Sequence, residues 1–329
     1  MTVAFLFPGQ GAKGLFEAAE FATLMPLGKE MLQRAAEATS LTVADILARG
    51  GRALERTEVQ QPVVTAIGLF VHAELVAAGI EPDVVAGHSL GELPAWAATG
   101  AITPEDAITI AALRGRLMAR EAVRHPGVMI AITASRKSGD LSEVFWRGTV
   151  QRAAARHGIK VAASNAPGEV VISGEEDAIR EFLKALKNFL SVTDSEPFDV
   201  TRSTRRLPVA GAWHHESMKD AVPELEAALT QARRGAMRIP MVLNATGKLA
   251  TEESLVPRLL AGQLVETVRW TGVMNTLAER GVTHYVTIAP GVVLRSLVRT
   301  NLGAEARVYT TEDAADIQRT VGALRWRVS

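Results

Sequence analysis

Short apolar, β-branched runs alternate along the chain with longer stretches in helical register. Four of the short runs lead into glycine: "VAFLFPGQG" (3–11), "DVVAGHSLG" (83–91), "PMVLNATG" (240–247) and "HYVTIAPG" (284–291). Near-continuous apolar strands belong in a sheet covered on both faces, and glycine just beyond them suits the loops at strand C-termini. The rhythm predicts a hydrolase-like α/β domain with a mainly parallel sheet, whose site lies on those loops. Residues 103–124 predict one helix, with Thr103 as cap, Pro104 in the first turn and Asp106 at the reciprocal capping position; it carries Arg114 and Arg116.

Between about 127 and 196 the order changes. Strand "VMIAIT", helix 141–157, strand "IKVAAS", a turn at "NAPGE", strand "VVIS" and helix 175–188 follow one another. With a last strand near 206–210 this is β-α-β-β-α-β, a ferredoxin-like unit inserted into the larger domain. The expected division is a large α/β catalytic subdomain of 1–126 plus 197–329, a small ferredoxin-like subdomain of 127–196, and a cleft between them. The polar stretch "TDSEPFDVTRSTRR" (193–206) is expected to be a mobile loop.

Composition narrows the function classes. At 329 residues, 47% hydrophobic and 22% charged, the chain has ordinary globular make-up. Lys+Arg and Asp+Glu both total 36, so no global field draws it to nucleic acid or to an anionic membrane, and any charged partner meets a local patch. The absence of cysteine excludes disulfides, thiolate metal sites and cysteine nucleophiles together. No basic leader precedes "VAFLF" and no apolar run reads as long enough to span a bilayer, so a cytoplasmic location is expected.

The chemistry centres on Gly87-His88-Ser89-Leu90-Gly91, a G-x-S-x-G between a strand and a helical run. That context is what a nucleophile elbow requires: a sharp turn forces the serine into strained φ/ψ, and a side chain at either glycine would crowd it. The helix beyond offers the Leu90 N–H to a developing oxyanion. A serine hydroxyl needs a base, and histidines stand at 72, 88, 125, 157, 214, 215 and 284. His72 and His157 lie in helical patterns, His125 at a helix end and His284 in a strand, so structural roles are expected for them. His88, on the elbow, is expected to pack or hydrogen-bond locally. "LPVAGAWHHESM" (207–218) differs, because a short apolar strand and a Gly-Ala turn bring His214 and His215 to a loop that would overhang a cleft. Either is a candidate base.

"FPGQG", "GHSLGE", "RGRLM" at 114–118, "SNAPGEVVISG" at 164–174, "GAWHHESM" at 211–218 and "APGVVL" at 289–294 occur in this order along nearly the whole chain. In this the sequence resembles the malonyl-CoA:acyl carrier protein transacylases and the acyltransferase domains of polyketide synthases. The resemblance implies Ser89 as the acylated nucleophile and His214 as its general base, with the main-chain carbonyl of Gln263 orienting the imidazole. It implies an oxyanion hole from the N–H groups of Gln10 and Leu90, and a cleft lined by Gln61 and Asn165; His88 is a further substrate-binding candidate. Arg114 matches the arginine that forks onto the free carboxylate of a malonyl group, a task for which a planar guanidinium suits better than lysine. Gly115 beside it is unfavourable inside a helix by about 1 kcal/mol, which points to close packing there. Trp213, just before the base, stands where malonyl-type relatives have phenylalanine and is expected to crowd any α-carbon substituent. No permanently bound cofactor is implied; malonyl-CoA and the phosphopantetheine of an acyl carrier protein are substrates, and a monomer is expected.

Three features depart from the malonyl-type pattern: W-H-H-E-S-M for F-H-S-P-L-M, a longer segment before it, and "TIAPG" for E-x-G-P-G. They keep open an editing acyl hydrolase of the same fold, a transacylase for another acyl unit, and a silent docking protein. The joint presence of Ser89, His214, Gln10 and Arg114 disfavours silence, and Arg114 disfavours a hydrolase of neutral acyl chains. An α/β-hydrolase would want a late histidine outside a strand, and a patatin-like lipase an Asp-Gly, which is absent. Arg202, Arg205 and Arg206 are candidates for coenzyme A phosphates or an acidic carrier.

Overall fold

The computed structural model describes residues 1–133, 148, 150–152, 154–192 and 204–325. Among them the strands are β1 (Val3–Phe7), β2 (Val84–Gly87), β3 (Val128–Thr133), β4 (Lys160–Ala166), β5 (Glu169–Gly174), β6 (Thr204–Arg206), β7 (Met241–Leu243), β8 (Lys248–Leu249), β9 (His284–Thr287) and β10 (Arg307–Thr310). The large sheet has the order β10-β9-β1-β2-β7-β8 and is parallel throughout except for the β7–β8 pair. β1 and β2 are buried along their whole length at its centre, which is why their sequences show no alternation. The expected α/β class and mainly parallel sheet are what the structure has.

Three helices position the site: Thr57–Ala77, Glu92–Ala98 and Pro104–Arg124. The last begins at the expected cap, with Thr103 Oγ1 accepting from the Asp106 N–H at 3.0 Å, while the Asp106 carboxylate pairs with Arg234 at 3.3 Å. Gly115 has the expected close packing. A Cβ there would stand 2.8 Å from both the Cα of Glu58 and the carbonyl of Thr57, so the two long helices approach to backbone contact beside Arg114. Thr57–Ala77 is also long and apolar enough, by length and composition, to cross a bilayer, contrary to the expectation that no run is. Its most apolar stretch is 72% buried inside the protein, and Gln61 and Pro62 interrupt it.

The small sheet is antiparallel, in the order β4-β5-β3-β6, which is the ferredoxin-like arrangement. It has its own core, including Val128, Ile132, Val161, Ile172 and Phe182. Two boundaries differ from expectation. β6 lies at 204–206 rather than 206–210 and past residue 196, so the small sheet extends beyond the expected limit; a three-residue polar edge strand carries no apolar stripe to reveal it. β4 runs on through Ala166, so Asn165 is in a strand rather than a turn. The second helix is Glu176–Val192. Most of the helix expected at 141–157, and the stretch 193–203 with Arg202, lie outside the described residues. The small sheet is tied to the segment around Val268, between Gln263 and the helix that starts at Trp270: Ser164 N–H donates to the Val268 carbonyl at 2.9 Å, and Val268 N–H to that of Ala162 at 2.9 Å.

Candidate active site

Ser89 sits between β2 and the helix Glu92–Ala98 with φ of 52°, in the left-handed region, where a non-glycine residue is strained. The two flanking glycines are sterically required. A Cβ on Gly87 would stand 1.9 Å from the carbonyl carbon of Gly91, and one on Gly91 would stand 2.2 Å from the Phe7 carbonyl oxygen. Asn244, just after β7, clamps both sides of the turn: its Oδ1 accepts from Ser89 N–H and its Nδ2 donates to the Gly87 carbonyl, each at 2.7 Å. The loop carrying Gln10 lies against the same turn, since a Cβ on Gly9 would be 2.6 Å from the His88 carbonyl oxygen.

His214 also has a left-handed φ, 58°, and its ring is buried. Nε2 lies 2.8 Å from Ser89 Oγ and Nδ1 lies 2.7 Å from the Gln263 carbonyl oxygen. A carbonyl can only accept, so Nδ1 carries the proton and Nε2 offers its lone pair to the serine hydroxyl. Burial, and next the Arg114 cation, push the imidazole down to about 3, so it is neutral and able to take a proton at physiological pH. His215 points elsewhere, with Nε2 3.0 Å from the Gly158 carbonyl oxygen and Nδ1 accepting from Ser217 N–H at 3.1 Å. The geometry separates the two candidate bases.

Arg114 is 3% exposed, and among the described residues its guanidinium donates to three neutral oxygens: Gln61 Oε1 at 2.9 Å, Gln263 Oε1 at 3.1 Å and Ser89 Oγ at 3.2 Å. Burial lowers its pKa to about 10 while Glu92 opposes the shift, so it stays charged at neutral pH. Gln61 is held in turn by Gln10, its Nε2 donating to Gln10 Oε1 at 3.1 Å, and Gln10 Nε2 donates to Thr57 Oγ1 at 2.9 Å. Ser89, His214, Arg114, Gln10, Gln61 and Gln263 therefore form one connected group around the serine oxygen, with Leu90 adjoining it at the start of the helix.

The remaining candidates stand further out. His88 Nε2 meets Asn165 Oδ1 at 2.9 Å and its ring packs edge-on to Trp270, so this pair ties the elbow to the small sheet instead of facing the serine oxygen. Trp213 is buried with the far edge of its ring over Gly211, next to Ala122, two turns beyond Arg114 on its helix. Arg206 is engaged by Glu176 at 2.7 Å and Arg205 lies exposed on the edge strand. Sequence reasoning missed Asn244 and Glu92. Both lie in segments that carry the strand-to-glycine pattern, "PMVLNATG" and "GHSLGE", and the available signal was a polar residue directly past the end of an apolar strand or of the elbow.

The acyl transferase domain family matches residues 4–325. A malonyl CoA-acyl carrier protein transacylase of Bacillus subtilis is 28% identical over 326 residues, covering 98% of this chain and 97% of that one. Among solved structures, the malonyl-CoA:acyl carrier protein transacylase of Xanthomonas oryzae superimposes with a TM-score of 0.83 at 29% identity, covering 98% of this chain and 99% of that one. A malonyl-transacylase solved in complex with a type II polyketide acyl carrier protein gives 0.84 at 25% identity, covering 98% and 100%. With the elbow, the serine–histidine pair and the two sheets all in place over nearly the full length, the chain belongs to the acyl transferase domain family.

Proposed function

We infer that this protein is a malonyl-CoA:acyl carrier protein S-malonyltransferase working through an acyl-serine. The observation that carries the reading is a buried, charged guanidinium, Arg114, 3.2 Å from a serine oxygen that is itself 2.8 Å from a neutral imidazole. His214 Nε2 takes the proton from Ser89 as Oγ attacks the thioester carbonyl. The resulting oxyanion is held by the N–H groups of Gln10 and Leu90. Collapse breaks the C–S bond, and the coenzyme A thiolate leaves with the proton from His214. In the second half His214 takes the proton of the phosphopantetheine thiol, the thiolate attacks the acyl-serine, and Ser89 leaves and regains its proton. Throughout, Arg114 pairs with the free carboxylate of the malonyl group, a charge-assisted contact for a buried cation next to the nucleophile.

The similarity to transacylases that act on malonyl-CoA, one of them complexed with a carrier protein, supports the same donor and acceptor here. Intact mass after mixing with malonyl-CoA, acetyl-CoA and methylmalonyl-CoA tests it. Malonyl-CoA is expected to add one acyl mass to the wild type and none to Ser89→Ala. An adduct surviving in Ser89→Ala, or a wild type that loads acetyl best, would contradict the reading.

A further inference from the structure

Glu92 is 2% exposed, immediately follows the elbow, and has no role in the proton transfers. Both of its oxygens are engaged by groups that touch the site. Oε1 accepts from the Asn244 N–H at 2.7 Å, and Asn244 clamps Gly87 and Ser89. Oε2 accepts from Gln263 Nε2, which also donates to the Ser89 carbonyl at 3.1 Å. The other end of that amide, Oε1, receives Arg114 Nη2 at 3.1 Å. Gln263 thus lies between a buried carboxylate and a buried guanidinium, and only one orientation of its amide satisfies both. Turned over, its NH2 would face the arginine and its oxygen would face the carboxylate.

We propose that Glu92 is a positioning residue for acyl selection: by fixing the Gln263 amide it aims Arg114 at the carboxylate of the acyl group, without touching substrate itself. This rests on the functional reading above. Burial pushes the Glu92 carboxyl up to about 8 while the Asn244 N–H, the Arg114 cation and the Gln263 amide oppose the shift, so it is the two acceptor contacts, and not a counter-charge, that hold the Gln263 amide in place. A glutamine at 92 keeps the shape but replaces one acceptor with a donor. That donor faces either Asn244 N–H or Gln263 NH2, so one of these contacts becomes donor against donor.

The test compares loading of wild type, Glu92→Gln, Gln263→Ala and the double variant with malonyl-CoA and acetyl-CoA, after confirming that each melts cooperatively. Gln263→Ala retains the main-chain carbonyl that orients His214 and removes the amide, with its contacts to Arg114, Glu92 and the Ser89 carbonyl, so the malonyl-to-acetyl ratio is read and not the rate alone. Glu92→Gln is expected to lower the malonyl-to-acetyl ratio of kcat/KM by roughly ten- to a hundredfold, the usual range for a charge-assisted pair. Gln263→Ala should lower the ratio similarly, and the double variant should be no worse than the poorer single one. A ratio unchanged in both single variants, or losses that multiply in the double variant, would overturn the proposal. Should Glu92→Gln not fold, Gln263→Ala decides alone on the same ratio. A wild type that is not acylated at Ser89 would instead overturn the functional reading, and the two failures are told apart by mass before any variant is compared.

Discussion

Arg114 and His214 are both buried cation-capable groups bonded to one serine oxygen, and burial acts on them in the same direction. For the arginine the lowered value of about 10 still leaves the charge in place at pH 7; for the histidine a value of about 3 removes it. Their consequences are separable. Arg114→Ala is expected to cut malonyl loading by about ten- to a hundredfold while leaving acetyl loading equal or better, as read from single-turnover rates with each thioester. His214→Ala should slow acylation by something like 10²–10⁴ with every thioester. His215→Ala should have little effect, because its ring is held by Gly158 and Ser217 away from the serine. The pH dependence follows from the sign of the shift. A base whose pKa is lowered stays neutral as pH falls, so acetyl loading by the wild type should show no loss around pH 6.5, falling only toward the lowered value. Removing the Arg114 cation, the second cause of that shift, should move the acid limb upward in Arg114→Ala; a wild-type limb near 6.5 would contradict a buried, neutral base. Trp213→Ser should cost about 3–5 kcal/mol in thermal or denaturant unfolding, since the ring edge lies in the core over Gly211, and methylmalonyl-CoA loading of the same variant measures whether the pocket also opens.

At the scale of elements, the site depends on backbone approaches that only glycine permits. Gly115→Ala replaces a poor helix former with the best one, worth about 1 kcal/mol in favour of the helix. Yet its methyl would press on the backbone of Thr57 and Glu58 at 2.8 Å, where neither helix can yield by rotating a side chain. A lowered melting temperature is expected, together with a several-fold loss of malonyl loading as Arg114 is carried away from Gln61; a raised melting temperature would contradict it. The same contrast explains what was legible beforehand. β1, β2, β7 and β9 announce themselves because they are apolar strands inside the sheet that end in glycine-containing loops, and the elbow is readable because its geometry allows so few residues. β8 and β6 carry two and three residues with no apolar stripe, so periodicity has nothing to act on. Gln263 was reachable only through resemblance, since a main-chain carbonyl leaves no side-chain signature, and Asn244 and Glu92 act through pairings more than 150 residues apart in the case of Asn244 with Ser89, Gly87 and Glu92.

On the scale of the whole molecule, the two sheets meet at the site. β4 pairs with Val268, a few residues beyond Gln263, and Asn165 in β4 reaches the elbow through His88. The small sheet therefore braces the segment that presents the carbonyl to His214, and it does so by hydrogen bonds outside the reacting group. Asn165→Ala is accordingly expected to weaken loading by less than tenfold and to act alike on malonyl-CoA and acetyl-CoA, because it leaves Arg114 and its acceptors in place; a selective loss of malonyl loading would place Asn165 in the acyl pocket itself. What defines the activity is transfer of malonyl from an acyl-serine to a carrier-bound thiol. Its most direct measurement is to isolate the malonylated wild type, split it between buffer and an excess of phosphopantetheinylated acyl carrier protein, and follow both proteins by intact mass. The adduct is expected to persist in buffer and to pass quickly to the carrier, leaving unmodified enzyme and malonyl-carrier. Loss of the malonyl group to water at the same rate with and without the carrier would contradict it.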